Sequence, residues 1–167
     1  MPRGRSRSSG IQSLVLALAL AGGAVIAFKP SGRALEGRAS VTDGDTIHIG
    51  DAKIRLKGID APEMDQVCSH AGRSYRCGDV ARRALIDIVS GEQVQCRAAG
   101  RDRYQRVLAR CTVKGTDIGA RMVEEGWAVS YGRDYDLQER RAQGQGAGLW
   151  AGEFERPQEW RRSRAGD

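Results

Sequence analysis

The sequence predicts a mainly β fold with helices packed on it (α+β), and three observations carry the prediction. Short segments with β-branched residues or strict apolar–polar alternation fill the middle of the chain. One clear helical stripe interrupts them after the third strand. Glycine is abundant, 22 residues against 4 prolines, without a repeat period, which implies many turns and excludes a collagen-like chain.

The elements follow in order. Residues 38–41 and 46–49 read as strands, joined by a turn or bulge at Asp43-Gly44-Asp45. Residues 52–58 place Ile54 and Leu56 on one face and Lys53, Arg55 and Lys57 on the other, the pattern of a half-buried strand. Residues 79–90 form a helix whose stripe is Val80, Ala84, Leu85 and Ile88, with Asp79 as cap and Gly91 as stop. Residues 93–97 and 104–113 read as two more strands. Thr116 or Asp117 caps a short helix carrying Ile118, Met122 and Val123 and stopped at Gly126. Residues 127–131 read as a short strand or a packed bend, and residues 134–143 as a third helix with a weak apolar stripe. Five strands with a helix after the third, and about three helices in all, fit a small closed barrel of the OB type.

Length and composition support one globular domain. The chain has 167 residues, 40% of them hydrophobic and 29% charged, enough apolar material for a core. The net charge is +6, but Arg3, Arg5 and Arg7 stand before an apolar run; without them 24 basic residues face 21 acidic ones. That mild excess suits a polyanionic partner without requiring one. The apolar run, residues 11–28, carries no charge and a single amide, Gln12. A basic stretch followed by such a run reads as a signal peptide, with Val25 and Ala27 before the cut, or as an N-terminal membrane anchor. The expected organisation is therefore a signal or tether over 1–28, a linker over 29–37, the domain over 38–160 and a solvated basic tail over 161–167. The domain is expected outside the cytoplasm: periplasmic, secreted or held on the outer face of the inner membrane.

Cysteine usage agrees with export. Cys68, Cys77, Cys96 and Cys111 make an even set, which implies two disulfides in an oxidising compartment. Three pairings are possible, and local geometry favours one: Cys96 and Cys111 lie symmetrically about Arg103-Tyr104, and if that segment is a hairpin tip they face each other. Cys68 and Cys77 then close a short surface loop. The C-x8-C and C-x14-C spacings do not match zinc knuckles.

Three clusters carry the chemistry: Asp43-Gly44-Asp45-Thr46, Arg55 with Asp60-Ala61-Pro62-Glu63, and Asp102-Arg103-Tyr104-Gln105-Arg106. Turns at opposite ends of a two-strand meander can bring Asp45 and Asp60 together. Two carboxylates with a backbone carbonyl and waters suit a hard cation such as Ca²⁺. Two guanidinium forks, Arg55 and Arg106, match phosphate oxygens. Alone, each piece has a plainer reading: a polar turn, a solvated strand face, a first-turn acid, a surface ion pair. His48 and His70 have no partner at metal-ligand spacing, and Trp127 and Trp150 read as packing residues, Trp150 as a core anchor.

Together and in this order, D-G-D-T, R-L-K-G-I-D-A-P-E and D-R-Y-Q-R resemble the staphylococcal nuclease (thermonuclease) family, over about residues 38–150. The resemblance implies an OB barrel with three helices and a calcium-dependent phosphodiesterase. Such an enzyme cuts DNA and RNA with little sequence preference and leaves 3′-phosphate ends. It implies Asp45, Asp60 and the carbonyl of Ala61 as calcium ligands and Glu63 as general base. Arg55 and Arg106 become the phosphate-holding arginines, Asp43 a supporting acid behind Asp45, and Tyr104 and Tyr131 nucleotide neighbours. The implied partners are DNA and/or RNA as substrate and a membrane through residues 11–28; no obligate protein partner is inferred. Two departures stand out. Gln105 occupies a position where the family often has glycine, and residues 64–77 replace a lysine-rich mobile loop with one holding two cysteines. The rival readings are an OB module that binds nucleic acid without cutting it, and an exported OB domain that binds oligosaccharide or protein.

Overall fold

The computed structural model describes residues 34–165; the signal or anchor reading, residues 29–33 of the linker and residues 166–167 lie outside it. A curled sheet runs in the order β1 (Ala34–Gly37), β8 (Val94–Arg101), β9 (Val107–Val113), β4 (Ala52–Leu56), β3 (Thr46–Ile49) and β2 (Ala39–Asp43), with β10 (Thr116–Asp117) added beside β9. Its meander is β2 (Ala39–Asp43), β3 (Thr46–Ile49) and β4 (Ala52–Leu56), each antiparallel to the next. β4 then pairs in parallel with β9 (Val107–Val113), which is antiparallel to β8 (Val94–Arg101). The α+β class and the OB-type curl are as expected, but among the described residues the sheet is a half-barrel of six strands with β10 beside it rather than five strands, and four α-helices stand where about three were expected. The linker ends earlier than expected, because β1 (Ala34–Gly37) pairs with β8, Leu35 opposite Cys96.

The alternation read from the sequence explains the core. Ile47, Ile54 and Leu56 point inward from the meander, Val94 and Ala109 from β8 and β9. Ala81, Leu85 and Ile88 cover them from helix α1 (Cys77–Val89), and Ile118, Met122 and Val123 from α2 (Ile118–Glu124). α2 is capped by Asp117, whose carboxylate accepts from the Ala120 amide at 2.9 Å. α1 begins two residues before the expected cap. Asp79 lies inside its first turn and pairs with Arg76 at 2.9 Å rather than capping the helix. α3 (Asp136–Gln145) ends at Gly146, whose φ of +59° is the left-handed stop expected of glycine.

Both expected disulfides are present. Cys96 lies opposite Cys111 in the β8–β9 register, with Cα atoms 4.0 Å apart. Cys68–Cys77 closes no simple surface loop. Cys68 is on β6 (Val67–His70), which forms a hairpin with β7 (Arg73–Arg76), and both sulfurs are buried in a second small core with Leu149. That core also corrects the choice of anchor: Leu149 is fully buried, whereas Trp150 beside it is half-buried and meets Phe154 edge-on at 4.8 Å. Residues 161–164 are not a solvated tail either, for they complete helix α4 (Pro157–Arg164).

Candidate active site

The site is assembled at one end of the meander. Gly44 makes its turn possible without any unusual φ: a Cβ there would stand 2.6 Å from the Ala61 Cβ and 3.0 Å from that of Ala81. The bare glycine lets the Asp43–Asp45 turn nest against the segment that carries Asp60 and Ala61. Asp43 stiffens the same turn by accepting the Asp45 amide at 3.1 Å. Asp45 then enters β3, where Thr46 lies directly opposite Arg55 of β4. β5 (Ile59–Asp60) is held by β11 (Val129–Ser130), Asp60 opposite Val129, so the segment read as strand or bend is a strand.

Arg55 binds the two buried acids together. Its guanidinium donates to Asp45 Oδ1 at 2.8 Å and to Asp60 Oδ1 at 2.7 Å. The other oxygen of Asp45 accepts the Ala61 amide at 3.2 Å. Burial pushes the Asp45 carboxyl up to about 7; Arg55 pulls it down, and the Asp43 and Asp60 carboxylates add to the rise. Arg55 stays cationic, because the charges of Asp45 and Asp60 outweigh its own burial.

Arg106 arrives from the β8–β9 tip. Asp102 organises that tip by accepting the amides of Tyr104 at 2.9 Å and Arg106 at 3.0 Å, and it fixes the Arg106 guanidinium at 2.6 Å. Partial burial pulls the Asp102 carboxyl upward, but those hydrogen bonds, the Arg106 side chain first, hold it below the usual carboxylate range. Arg106 reaches the Thr46 hydroxyl at 3.5 Å, and that hydroxyl donates to Asp45 at 3.1 Å, so the third cluster joins the first two. Gln105 keeps the turn that glycine would allow by adopting φ +63°, a left-handed conformation a side chain rarely takes.

Glu63 stands at the rim, its side chain 41% exposed. Its loop is pinned by Gln66, a fully buried polar residue that no sequence pattern singled out. Gln66 accepts the Glu63 amide at 3.3 Å, donates to the Glu155 carbonyl at 2.7 Å and accepts the Cys77 amide at 3.1 Å. Gly78 allows the loop to lie on the start of α1, for a Cβ there would collide with the Glu63 carbonyl. Tyr104 is exposed, with the Arg106 guanidinium 5.5 Å from its ring centre. Tyr131 is exposed beyond β11, its amide donating to the Gly58 carbonyl. Neither tyrosine is hydrogen-bonded into the acid cluster.

One residue expected in solvent is in the site. Arg161 of α4 donates to both oxygens of Asp60, at 3.1 and 2.8 Å, and to Glu63 at 2.7 Å. These bonds, against partial burial, raise its basicity. A cation fits the donor chemistry, since Asp45, Asp60 and the Ala61 carbonyl offer only oxygen. Among the described residues no three metal-type side chains converge. The two carboxylates, the carbonyl and waters would have to suffice.

Residues 53–152 match the family described as Staphylococcal nuclease homologue. A succinoglycan biosynthesis protein, ExoI, of Rhizobium meliloti is 40% identical over 68% of this chain and 63% of its own length. An uncharacterized endonuclease of Haemophilus influenzae is 35% identical over 73% of this chain and 70% of its own. A micrococcal nuclease of Shigella flexneri is 35% identical over 74% of this chain and 78% of its own. The chain thus spans somewhat under two thirds of the first of these and more of the other two. It belongs to the staphylococcal nuclease homologue family.

Proposed function

We propose that this protein is an exported, Ca²⁺-dependent nuclease that hydrolyses DNA and/or RNA with little sequence preference and leaves 3′-phosphate ends. The observation that carries the reading is the Asp45–Arg55–Asp60 bridge, with Glu63 on one side and Arg106 on the other. Nuclease relatives in the same family support it. Two disulfides and the apolar run of residues 11–28 support export.

Asp45, Asp60 and the Ala61 carbonyl would hold the cation, which supplies positive charge against the phosphate oxygens. Arg55 and Arg106 grip those oxygens and offset the charge that grows on them as water adds to phosphorus. Glu63 takes the proton of the attacking water. The bond from phosphorus to the 5′ oxygen breaks, that oxygen takes a proton from water to become the 5′ hydroxyl, and the phosphate stays on the 3′ side. Asp43 keeps Asp45 in place. Tyr104 and Tyr131, exposed at the edge, give bases a stacking surface that reads no sequence.

The test uses the oxidised full-length chain and single-stranded DNA, in Ca²⁺ and then in excess chelator. Cutting that stops with chelator, with products ending in 3′-phosphate, supports the reading; binding without cutting replaces it with an inactive nucleic-acid module. Because the 40%-identical relative is named for succinoglycan biosynthesis, a second reading is an exported OB domain that binds oligosaccharide. That reading expects neither cutting nor binding of DNA.

A further inference from the structure

The contact between Arg161 and the acids has a consequence for cation binding. Its two terminal nitrogens take both oxygens of Asp60, one of which is already shared with Arg55. The same guanidinium holds Glu63 at 2.7 Å. A cation on Asp60 needs lone pairs, and this fork with Arg55 takes both on Oδ1 and one on Oδ2; a divalent ion and a guanidinium also repel each other across one carboxylate. Arg161 also lies beyond residue 152, where the family match ends.

α4 is attached so that it can let go. Of its eight residues only Pro157 is buried. Trp160 is partly covered, and Arg164 meets Asp65 in an exposed pair at 3.6 Å; just before the helix, Phe154 packs on the second small core, Gln66 donates to the Glu155 carbonyl and Arg156 pairs with Glu139 at 3.1 Å. A segment with so little apolar burial opens at low cost.

We propose that α4 is a strap whose Arg161 competes with the cation for Asp60, so that cation binding and strap closure oppose each other. This rests on the cation reading of Asp45 and Asp60. The coupling is reciprocal: what loosens the strap tightens the cation, and the cation loosens the strap by the same factor.

The test is Ca²⁺ titration by calorimetry of the full-length oxidised chain and of three variants, with hydrogen exchange followed over residues 157–164. R161Q is expected to bind Ca²⁺ about tenfold more tightly, within the usual range for coupled sites. R161K should fall between R161Q and the parent chain, and it carries the test if R161Q fails to fold. R162Q removes a neighbouring exposed arginine and should leave affinity unchanged. Ca²⁺ should speed exchange in α4 of the parent chain, and R161Q should exchange fast without it. A merely structural Arg161 gives the opposite sign, weaker binding in R161Q. Unchanged or weaker affinity, or an α4 indifferent to Ca²⁺, overturns the strap. A parent chain that cuts in Ca²⁺ while R161Q binds as the parent does sinks only this inference. A parent chain that neither binds Ca²⁺ nor cuts sinks the nuclease reading and the strap together.

Discussion

Asp60 and Tyr135 are both nearly buried, and both sit at the centre of a polar cluster, yet they are held in opposite ways. Tyr135 donates its hydroxyl to Asp117 at 2.9 Å and accepts from Arg110 at 2.9 Å. Arg110 also pairs with Asp134 at 3.0 Å. Each group there has a settled partner, and the circuit ties α3 to β9 and to the cap of α2. Around Asp60 the assignments overlap. One oxygen serves two arginines, and Asp45 and Asp60 share one guanidinium. Two buried acids kept side by side cost stability unless positive partners offset them. In the tyrosine circuit each group keeps its own partner, whereas in the acid cluster the arginines are shared.

The comparison breaks if substitutions in the two clusters have the same consequences. The largest separation is expected from Glu63→Gln. Cutting should fall by roughly 10²–10⁴-fold, the range for loss of a general base, while the urea midpoint stays at the parent value. Retained activity would remove Glu63 from the mechanism. Arg55→Gln should damage both properties, because it takes the guanidinium partner from buried Asp45 and leaves Asp60 to Arg161 alone. A stability loss of about 3–5 kcal/mol is expected in denaturant titrations, with cutting abolished.

Tyr135→Phe should do the reverse of Glu63→Gln. It leaves Asp117 and Arg110 without their hydroxyl partner, costing about 1–2 kcal/mol, and changes cutting less than about twofold. It also sharpens the comparison through pH. Burial first, and then the Asp117 carboxylate, push the Tyr135 hydroxyl well above its ordinary value. A raised folded-state value means its stabilisation is complete below about pH 10 and is lost as pH rises beyond it. The difference in stability between the parent chain and Tyr135→Phe should therefore shrink above pH 10 in chemical denaturation. A difference that is flat across that range would deny the network its role.

The smallest effect is expected at the tip that presents Arg106. Gln105→Gly relieves the left-handed φ and should raise stability by about 0.5–1 kcal/mol, with cutting preserved. A loss of cutting would mean that the Gln105 side chain itself acts.

Much of this was legible locally. The alternation of Ile54 and Leu56 with Lys53, Arg55 and Lys57 fixed which face of β4 is wet, and therefore where Arg55 emerges. The symmetric placing of Cys96 and Cys111 located the β8–β9 tip, because hairpin pairing is a matter of counting from a turn. The hairpin of β6 and β7 escaped notice. Its turn, Ala71-Gly72, has positive φ at both residues, but alanine there gives no signal of the kind Asn-Gly would. Gln66 and Arg161 escaped for a different reason. Each is one polar residue with partners up to 101 positions away, and no periodicity reports such a distance.

The sequence alone pointed to the OB-type fold, favoured one pairing of the four cysteines and, through the family resemblance, named the candidate acids and two arginines, because strand alternation, turn chemistry and motif spacing act over a few residues. Only the tertiary structure decided that Asp45 and Asp60 share Arg55, that buried Gln66 pins the Glu63 loop and that the last helix sends Arg161 into the site. Those contacts join segments from opposite ends of the domain. They exist because the folded core brings β3, β5 and α4 to one place, where buried carboxylates must find positive partners.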